Sequence, residues 1–314
     1  MLMFKSIADI FTFGLFRLDP ASKLGASIHF FIYDVLKIAF SILLVITVIS
    51  FIRTYISPHQ IKEWLSRQKF GIGYLFAAIF GAISPFCSCS SIPLFIGFLE
   101  AGVPMGVAFA FLITSPLVNE IVFVLMLGTF GLTTALTYAG FGILLGVICG
   151  MILQKTGLKN DIVKLDRPAE MMDMPQTLPE KLKFAYVETE WIFKKVFPFI
   201  IIGVAIGAFI HGYVPTELIT RYIKSDSIFA IPIAVVIGVP LYAGCSTLVP
   251  VVFAFTQKGI AIGTGLAFMM AIAGLSFPEA IILKSVMRLR LLLVFFGIVA
   301  LGIMAVGYLF NFLF

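Results

Sequence analysis

Thiols and hydroxyls carry the reactive chemistry of this sequence, and they fall in two clusters. The stretch Ser84-Pro85-Phe86-Cys87-Ser88-Cys89-Ser90-Ser91-Ile92-Pro93 sets two cysteines among serines and brackets them with prolines. A second stretch, Gly244-Cys245-Ser246-Thr247-Leu248-Val249-Pro250, repeats the theme with one cysteine. A thiolate is a nucleophile and a soft ligand for thiophilic species. The hydroxyls of Ser88, Ser90, Ser91, Ser246 and Thr247 suit an oxyanion, or the carbonyls that a broken helix leaves free. Helices beginning at Ser90 and Thr247 would turn their positive ends toward the same space and favour an anion or an electron-rich ligand. A C-x-C spacing with no histidine beside it is not a zinc signature, so neither a metal nor another cofactor is expected. Cys149, alone in an apolar helix after Gly146, reads as a packing residue.

Two carboxylates come next. Glu120 stands in Ser115-Pro116-Leu117-Val118-Asn119-Glu120, and Glu279 in Ser276-Phe277-Pro278-Glu279, both inside apolar segments. A charge at the bilayer centre costs about 2.5–3.5 kcal/mol on insertion scales, so such residues face the protein interior and work there. Both are therefore candidates for proton coupling. The bland alternative is a structural hydrogen bond or, for Glu279, an ion pair with Lys284. Asn119 is a candidate beside them, since an amide can hydrogen-bond between helices.

The elements that position these groups lie in a membrane. The chain has 314 residues, of which 61% are hydrophobic and 12% charged, and its mean hydropathy is +1.10. Several uncharged stretches are long enough to span a bilayer. The expected fold is an all-α polytopic membrane protein of the inner (plasma) membrane, crossing it several times. The net charge of +6 fits basic loops on the cytoplasmic side and calls for no nucleic acid. The opening MLMFKSIADIFTFGLF lacks the pattern of a cleavable signal and reads as an interfacial helix. Residues 1–28 form that N-terminal unit, 29–154 a first membrane repeat, 155–192 a charged cytoplasmic linker, and 193–314 a second membrane repeat. Residues 57–69 are expected to lie flat on the surface.

The halves resemble each other. A shift of 157 residues (215 − 58) puts Pro58 on Pro215, Pro93 on Pro250, Gly102 on Gly259, Gly106 on Gly263 and Phe111 on Phe268. Small slips put Cys89 on Cys245 and Glu120 on Glu279. Proline disfavours helix in the residue before it, so each cluster marks an interrupted or re-entrant helix. If the clusters lie in spans, the halves are parallel. If they lie in re-entrant hairpins, the halves are inverted, and Arg53, Lys62, Arg67 and Lys69 join Lys284, Arg288 and Arg290 on the linker side. The positive-inside rule favours the inverted arrangement. Paired interruptions of this kind point to a transporter's binding site.

The run from Pro85 to Gly97, with Gly102-Val103-Pro104, Ser115 to Glu120, Ala267-Phe268-Met269-Met270-Ala271 and Phe277 to Lys284, resembles the predicted-permease family that includes YraQ-type and ArsP-type proteins. The resemblance covers nearly the whole chain from about residue 28. It implies an inner-membrane permease and, in the ArsP branch, export of trivalent organoarsenicals with cysteines as candidate ligands. The expected function is a secondary transporter for a small thiophilic or anionic solute, with Cys87, Ser88, Cys89, Ser90, Ser91, Cys245, Ser246 and Thr247 at the substrate and Glu120, Glu279 and Asn119 coupling protons. No GxxxxGK[ST] motif is present. The rival readings are a membrane thiol-disulfide oxidoreductase cycling the three cysteines, and a passive channel.

Overall fold

The computed structural model describes residues 2–15, 18–19, 22–54, 71–84, 88–100, 102–163, 177–213, 228–241, 245–257 and 259–314. Among these the secondary structure is helical, apart from one isolated bridge between Ile162 and Met287. A short helix α1 (Leu2–Asp9) runs into a π-turn, and α2 (Lys23–Arg53) follows. The carboxylate of Asp9 pairs with His29 Nε2 at 2.8 Å and ties α1 to α2. The first half continues with α3 (Ile72–Ile83), α4 (Ser88–Glu100), α5 (Met105–Leu117) and α6 (Glu120–Lys155). The second half holds α7 (Leu178–Tyr213), α8 (Ala230–Gly238), α9 (Cys245–Gln257), α10 (Ile262–Gly274), α11 (Phe277–Lys284) and α12 (Leu289–Leu313). Helix α6, the broken α10–α11 run and α12 are long and apolar enough to cross a membrane.

The short helices are not simple spans. Ser91 Oγ lies 2.7 Å from Ser115 Oγ, and the rings of Phe95 and Phe109 are 4.9 Å apart, so α4 and α5 run antiparallel. A Cβ placed on Gly81 would sit 2.9 Å from the Phe111 carbonyl, and one on Gly106 would sit 3.0 Å from the Tyr74 ring. Helices α3 and α5 are therefore parallel. It follows that α3 enters, α4 returns, and α5 enters again to the depth reached by Ser84. The α3–α4 pair is therefore a hairpin. The hydroxyl of Ser84 donates to Gly81 O at 2.9 Å and closes the end of α3.

The turn from α4 to α5 has a definite cause. Gly102 takes φ 82, a conformation cheap only for glycine. Its N–H donates to Leu99 O at 3.1 Å and that of Val103 to Phe98 O at 3.0 Å, which is the Schellman pattern. The turn recurs at Gly259 (φ 87), with Gly259 N on Thr256 O at 3.0 Å and Ile260 N on Phe255 O at 3.2 Å. The bounds of α4 and α9, and of α5 and α10, coincide at the same shift of 157 residues (262 − 105).

A tight packing contact recurs as well. Gly106 N donates to Gln154 Oε1 at 2.7 Å, and Gly263 N to Asn311 Oδ1 at 2.7 Å. A Cβ on Gly106 would lie 2.4 Å from Gly150 O, and one on Gly263 would lie 2.1 Å from Gly307 O. Only glycine lets these backbones approach so closely. With Val118 against Gly142 at the other end, the C-terminal part of α6 runs back along α5. Gly131, at φ 84, bends α6 between its outgoing and returning parts, about 36 Å along the helix from Lys155. The corresponding turn between α11 and α12 meets the linker instead. Arg288 N donates to Asp161 O at 2.8 Å and Val163 N to Val286 O at 2.9 Å. The two bends thus face opposite sides.

One expectation is corrected here. Helices α4 and α9 begin at Ser88 and Cys245, two residues ahead of the expected Ser90 and Thr247. Helix α7 starts at Leu178, inside the stretch read as a linker. The apolar runs 103–127 and 260–283 are each broken, at Val118–Asn119 and at Leu275–Ser276. Residues 57–69 lie outside the described residues.

Candidate functional site

The four interruptions converge. A Cβ on Gly274, the last residue of α10, would sit 3.0 Å from Leu117 Cδ2, on the last residue of α5. The ends of the two entering helices therefore touch at the centre. Helix α9 packs on α6, and α4 packs on α11, so each hairpin leans on the broken helix of the other half. The rings of Phe130 and Phe253 meet at 5.3 Å in one of these seams.

Both kinds of helix end face this region. Helices α4, α6, α9 and α11 begin here, while α3, α5, α8 and α10 finish here. Positive and negative dipole ends alternate, so helix ends alone do not select an anion. Side chains close several of the exposed backbone groups. Asn119, 7% exposed, caps α6 by accepting from Val122 N through Oδ1 at 2.8 Å. Tyr138 OH donates to Leu117 O at 2.8 Å and serves the carbonyl end of α5. Thr114 Oγ1 donates to Ala110 O at 2.9 Å.

The expected site residues are placed as follows. Ser91 is buried and bonded to buried Ser115. Ser88, Cys89 and Ser90 stand in the first turn of α4, and Cys245, Ser246 and Thr247 in the first turn of α9, with their side chains outside the description. Cys87 lies outside the described residues. Glu120 is the first residue of α6 and is exposed, whereas Glu279, in the first turn of α11, is 2% exposed. The starts of α6 and α11 match at a shift of 157 residues (277 − 120) without any slip. Val122 therefore occupies the place equivalent to Glu279, and the two carboxylates are not equivalent. Likewise Cys245 falls at the position of Ser88 rather than that of Cys89. Cys149 is buried, and a Cβ on Gly302 would meet its sulfur at 3.2 Å.

Three contributors escaped the sequence reading. Ser115 and Tyr138 are polar groups inside apolar runs, and only a folded chain gives them partners. Glu188 was assigned to the soluble linker, yet it is 1% exposed within α7. The buried series Ala185, Glu188, Thr189 and Ile192 has helical spacing, a signal that was there to be read.

A family model described as a predicted permease, ArsP_1, matches residues 23–312. A UPF0718 protein of Methanocaldococcus jannaschii is 24% identical over 79% of this chain and 84% of its own. The UPF0718 protein YcgR of Bacillus subtilis is 28% identical over 56% of this chain and 60% of its own. A Streptococcus mutans protein, provisionally named as a subunit of a two-component membrane permease complex, is 28% identical over 54% of this chain and 57% of its own. No solved structure matches.

Proposed function

Because the chain belongs to the predicted-permease family ArsP_1, we propose that it is a secondary transporter built from two inverted repeats, with its substrate held between the interruptions. The observation that supports this most is the meeting of Leu117 with Gly274, which brings the breaks of both halves to one place. Irregular backbone at membrane depth is tolerated where it lines a cavity or is buried in protein, and transporters bind their substrates at such interruptions. Cys87, Cys89 and Cys245 make transient soft contacts to a thiophilic solute, of which trivalent organoarsenicals are one class. The nearby serine and threonine hydroxyls hold its polar groups. Buried Glu279 carries the coupling proton, with Asn119 fixing the start of α6. The name of the Streptococcus mutans relative adds a partner subunit to this reading, which co-purification of the tagged chain tests.

Binding is the direct test. The purified protein and the triple variant Cys87→Ser, Cys89→Ser, Cys245→Ser are melted with methylarsenite, thiosulfate, sulfite or selenite. A ligand that raises the melting temperature of the wild type alone supports a thiol-lined site. Equal stabilisation of both proteins removes the thiols from the site. Accumulation of the ligand in proteoliposomes separates a transporter from a thiol-disulfide oxidoreductase, which would trap mixed disulfides instead.

A further inference from the structure

We propose that the linker-side ends of α6, α11 and α12 form a binding surface for an anionic phospholipid, with Lys155, Lys159, Lys284, Arg288 and Arg290 around its phosphate. This goes beyond the transporter reading and needs only that the chain lies in a membrane. The five cations come from two segments that the fold joins. Ile162 bridges Met287, Arg288 N donates to Asp161 O at 2.8 Å, and Val163 N donates to Val286 O at 2.9 Å. No cation is more than seven residues from that bridge (162 − 155), and all five are exposed. Asp161 is the one acid among the described residues 155–163 and 284–290. Its side chain is 13% exposed and its Oδ1 lies 3.8 Å from Arg288 Nη1, so it offsets one charge of the five.

Helix ends account for only part of this cluster. A cation is favoured at a helix C-terminus, where Lys155 and Lys284 stand. Arg288 and Arg290 stand at the start of α12, whose first turn holds no acid, and the helix dipole opposes a cation there. An anion from outside the chain offsets that cost. Nor does the fold require the charge. At the shift of 157 residues (288 − 131), Lys284, Arg288 and Arg290 correspond to Leu127, Gly131 and Thr133, and Lys155 to Phe312. The bend at Gly131 forms without a cation.

The surroundings of the cations decide the kind of anion. Cys149 lies against Gly302, and the Phe141 and Phe310 rings meet at 5.4 Å, so the returning part of α6 runs antiparallel to α12. Both helices are long and apolar enough to cross a membrane, and both expose apolar side chains up to the patch. Leu144, Ile148 and Ile152 are exposed at four-residue steps, and Lys155 follows three residues later (155 − 152). Such spacing puts all four on one stripe of α6. On α12, Leu289 and Leu293 are exposed next to Arg290. A soluble anion matches the cations alone. A phospholipid matches both features, with its acyl chains along the apolar stripes and its phosphate among the cations.

The test is a melting experiment on the full chain in neutral detergent, with phosphatidylglycerol, phosphatidylcholine, glycerol phosphate or polyglutamate added. Phosphatidylglycerol should raise the melting temperature by about 3 °C or more, and phosphatidylcholine should not. The variant Lys155→Gln, Arg290→Gln should lose about half of that shift or more, while the charge-keeping variant Lys155→Arg, Arg290→Lys should retain it. Lys5→Gln, Lys183→Gln removes as much charge from exposed positions elsewhere and should retain it too. An undiminished shift in the first variant, or equal loss in the last, overturns the proposal. Stabilisation by glycerol phosphate as large as by the lipid would mean a soluble-anion site. Stabilisation by polyglutamate but not by phosphatidylglycerol would mean an acidic protein partner, and either result overturns the lipid assignment. Native mass spectrometry of the wild type decides the matter even if a variant fails to fold. At least one phosphatidylglycerol should stay bound at the collision energy that strips phosphatidylcholine, and equal retention of the two lipids overturns the proposal.

Discussion

The two halves share a backbone plan and differ in chemistry at the breaks. In the first half the hairpin is polar inside: Ser91 bonds to Ser115, Thr114 is buried beside them, and Asn119 caps the next helix. In the second half the positions equivalent to Ser91 and Ser115 are Leu248 and Ile272, both buried, and Ser276 makes no capping bond with its side chain. The second half instead buries Glu279. The long helices also settle differently. Helix α2 lies against the hairpin helix α4, whereas α7 lies against the broken helix α11. Backbone turns set by glycine can recur while the side chains diverge, because the turn needs only φ and space, not a particular neighbour. Under the proposed function, the hydroxyl-bearing breaks of the first half would hold the solute and the carboxyl-bearing break of the second would move protons.

The sharpest way to break this division is to neutralise each acid. Glu279→Gln should cut proton-driven methylarsenite flux by about a hundred-fold, and Glu120→Gln should leave it within about two-fold, as expected of an exposed group. Equal losses would mean that the carboxylates act as a symmetric pair despite their different burial. Next in size is the shared packing. Gly106→Ala and Gly263→Ala each drive a Cβ into a backbone carbonyl and should cost about 1–3 kcal/mol, read as a lowered melting temperature in detergent. A large cost at one glycine and none at the other would end the claim that the two contacts are equivalent.

Smaller effects sharpen the comparison. A double-mutant cycle on Ser91→Ala and Ser115→Ala should return a coupling of about 1 kcal/mol for their buried hydrogen bond. Additive losses would show that the hydroxyls do not hold the first hairpin together. Asn119→Ala should destabilise by about 1 kcal/mol through the lost cap. Ser276→Ala, with no side-chain cap to lose, should stay within about 0.5 kcal/mol. Reversal of that order would place the stronger cap in the second half.

Much was legible before any coordinates. Proline disfavours helix in the residue before it, and Pro85 marked the first hairpin, whereas α4 runs on through Pro93. The match of Gly102 with Gly259 at a shift of 157 residues (259 − 102) marked equivalent positions, which the fold shows to be turns. The second break of each half escaped because its proline does not sit at the gap. Pro116 lies inside α5 and Pro278 in the first turn of α11, where a missing N–H costs little. The apparent matches of Cys89 with Cys245 and of Glu120 with Glu279 needed slips that the helix bounds do not contain. Residue identity suggested an alignment that helix geometry does not support.

The sequence by itself determined the solvent, the helical class and the places where helices stop, since hydropathy, proline and glycine act locally. It also determined the family, through motifs spread over nearly the whole chain. Only the tertiary structure decided which polar groups are buried. Glu279 on α11 and Glu188 on α7 are enclosed by packed neighbours, while Glu120 starts a helix whose first residue faces outward. Burial depends on what a distant segment lays over a side chain, and no local pattern carries that information. The touch of Leu117 against Gly274 is of the same kind, a contact between residues 157 positions apart (274 − 117) that only folding brings together.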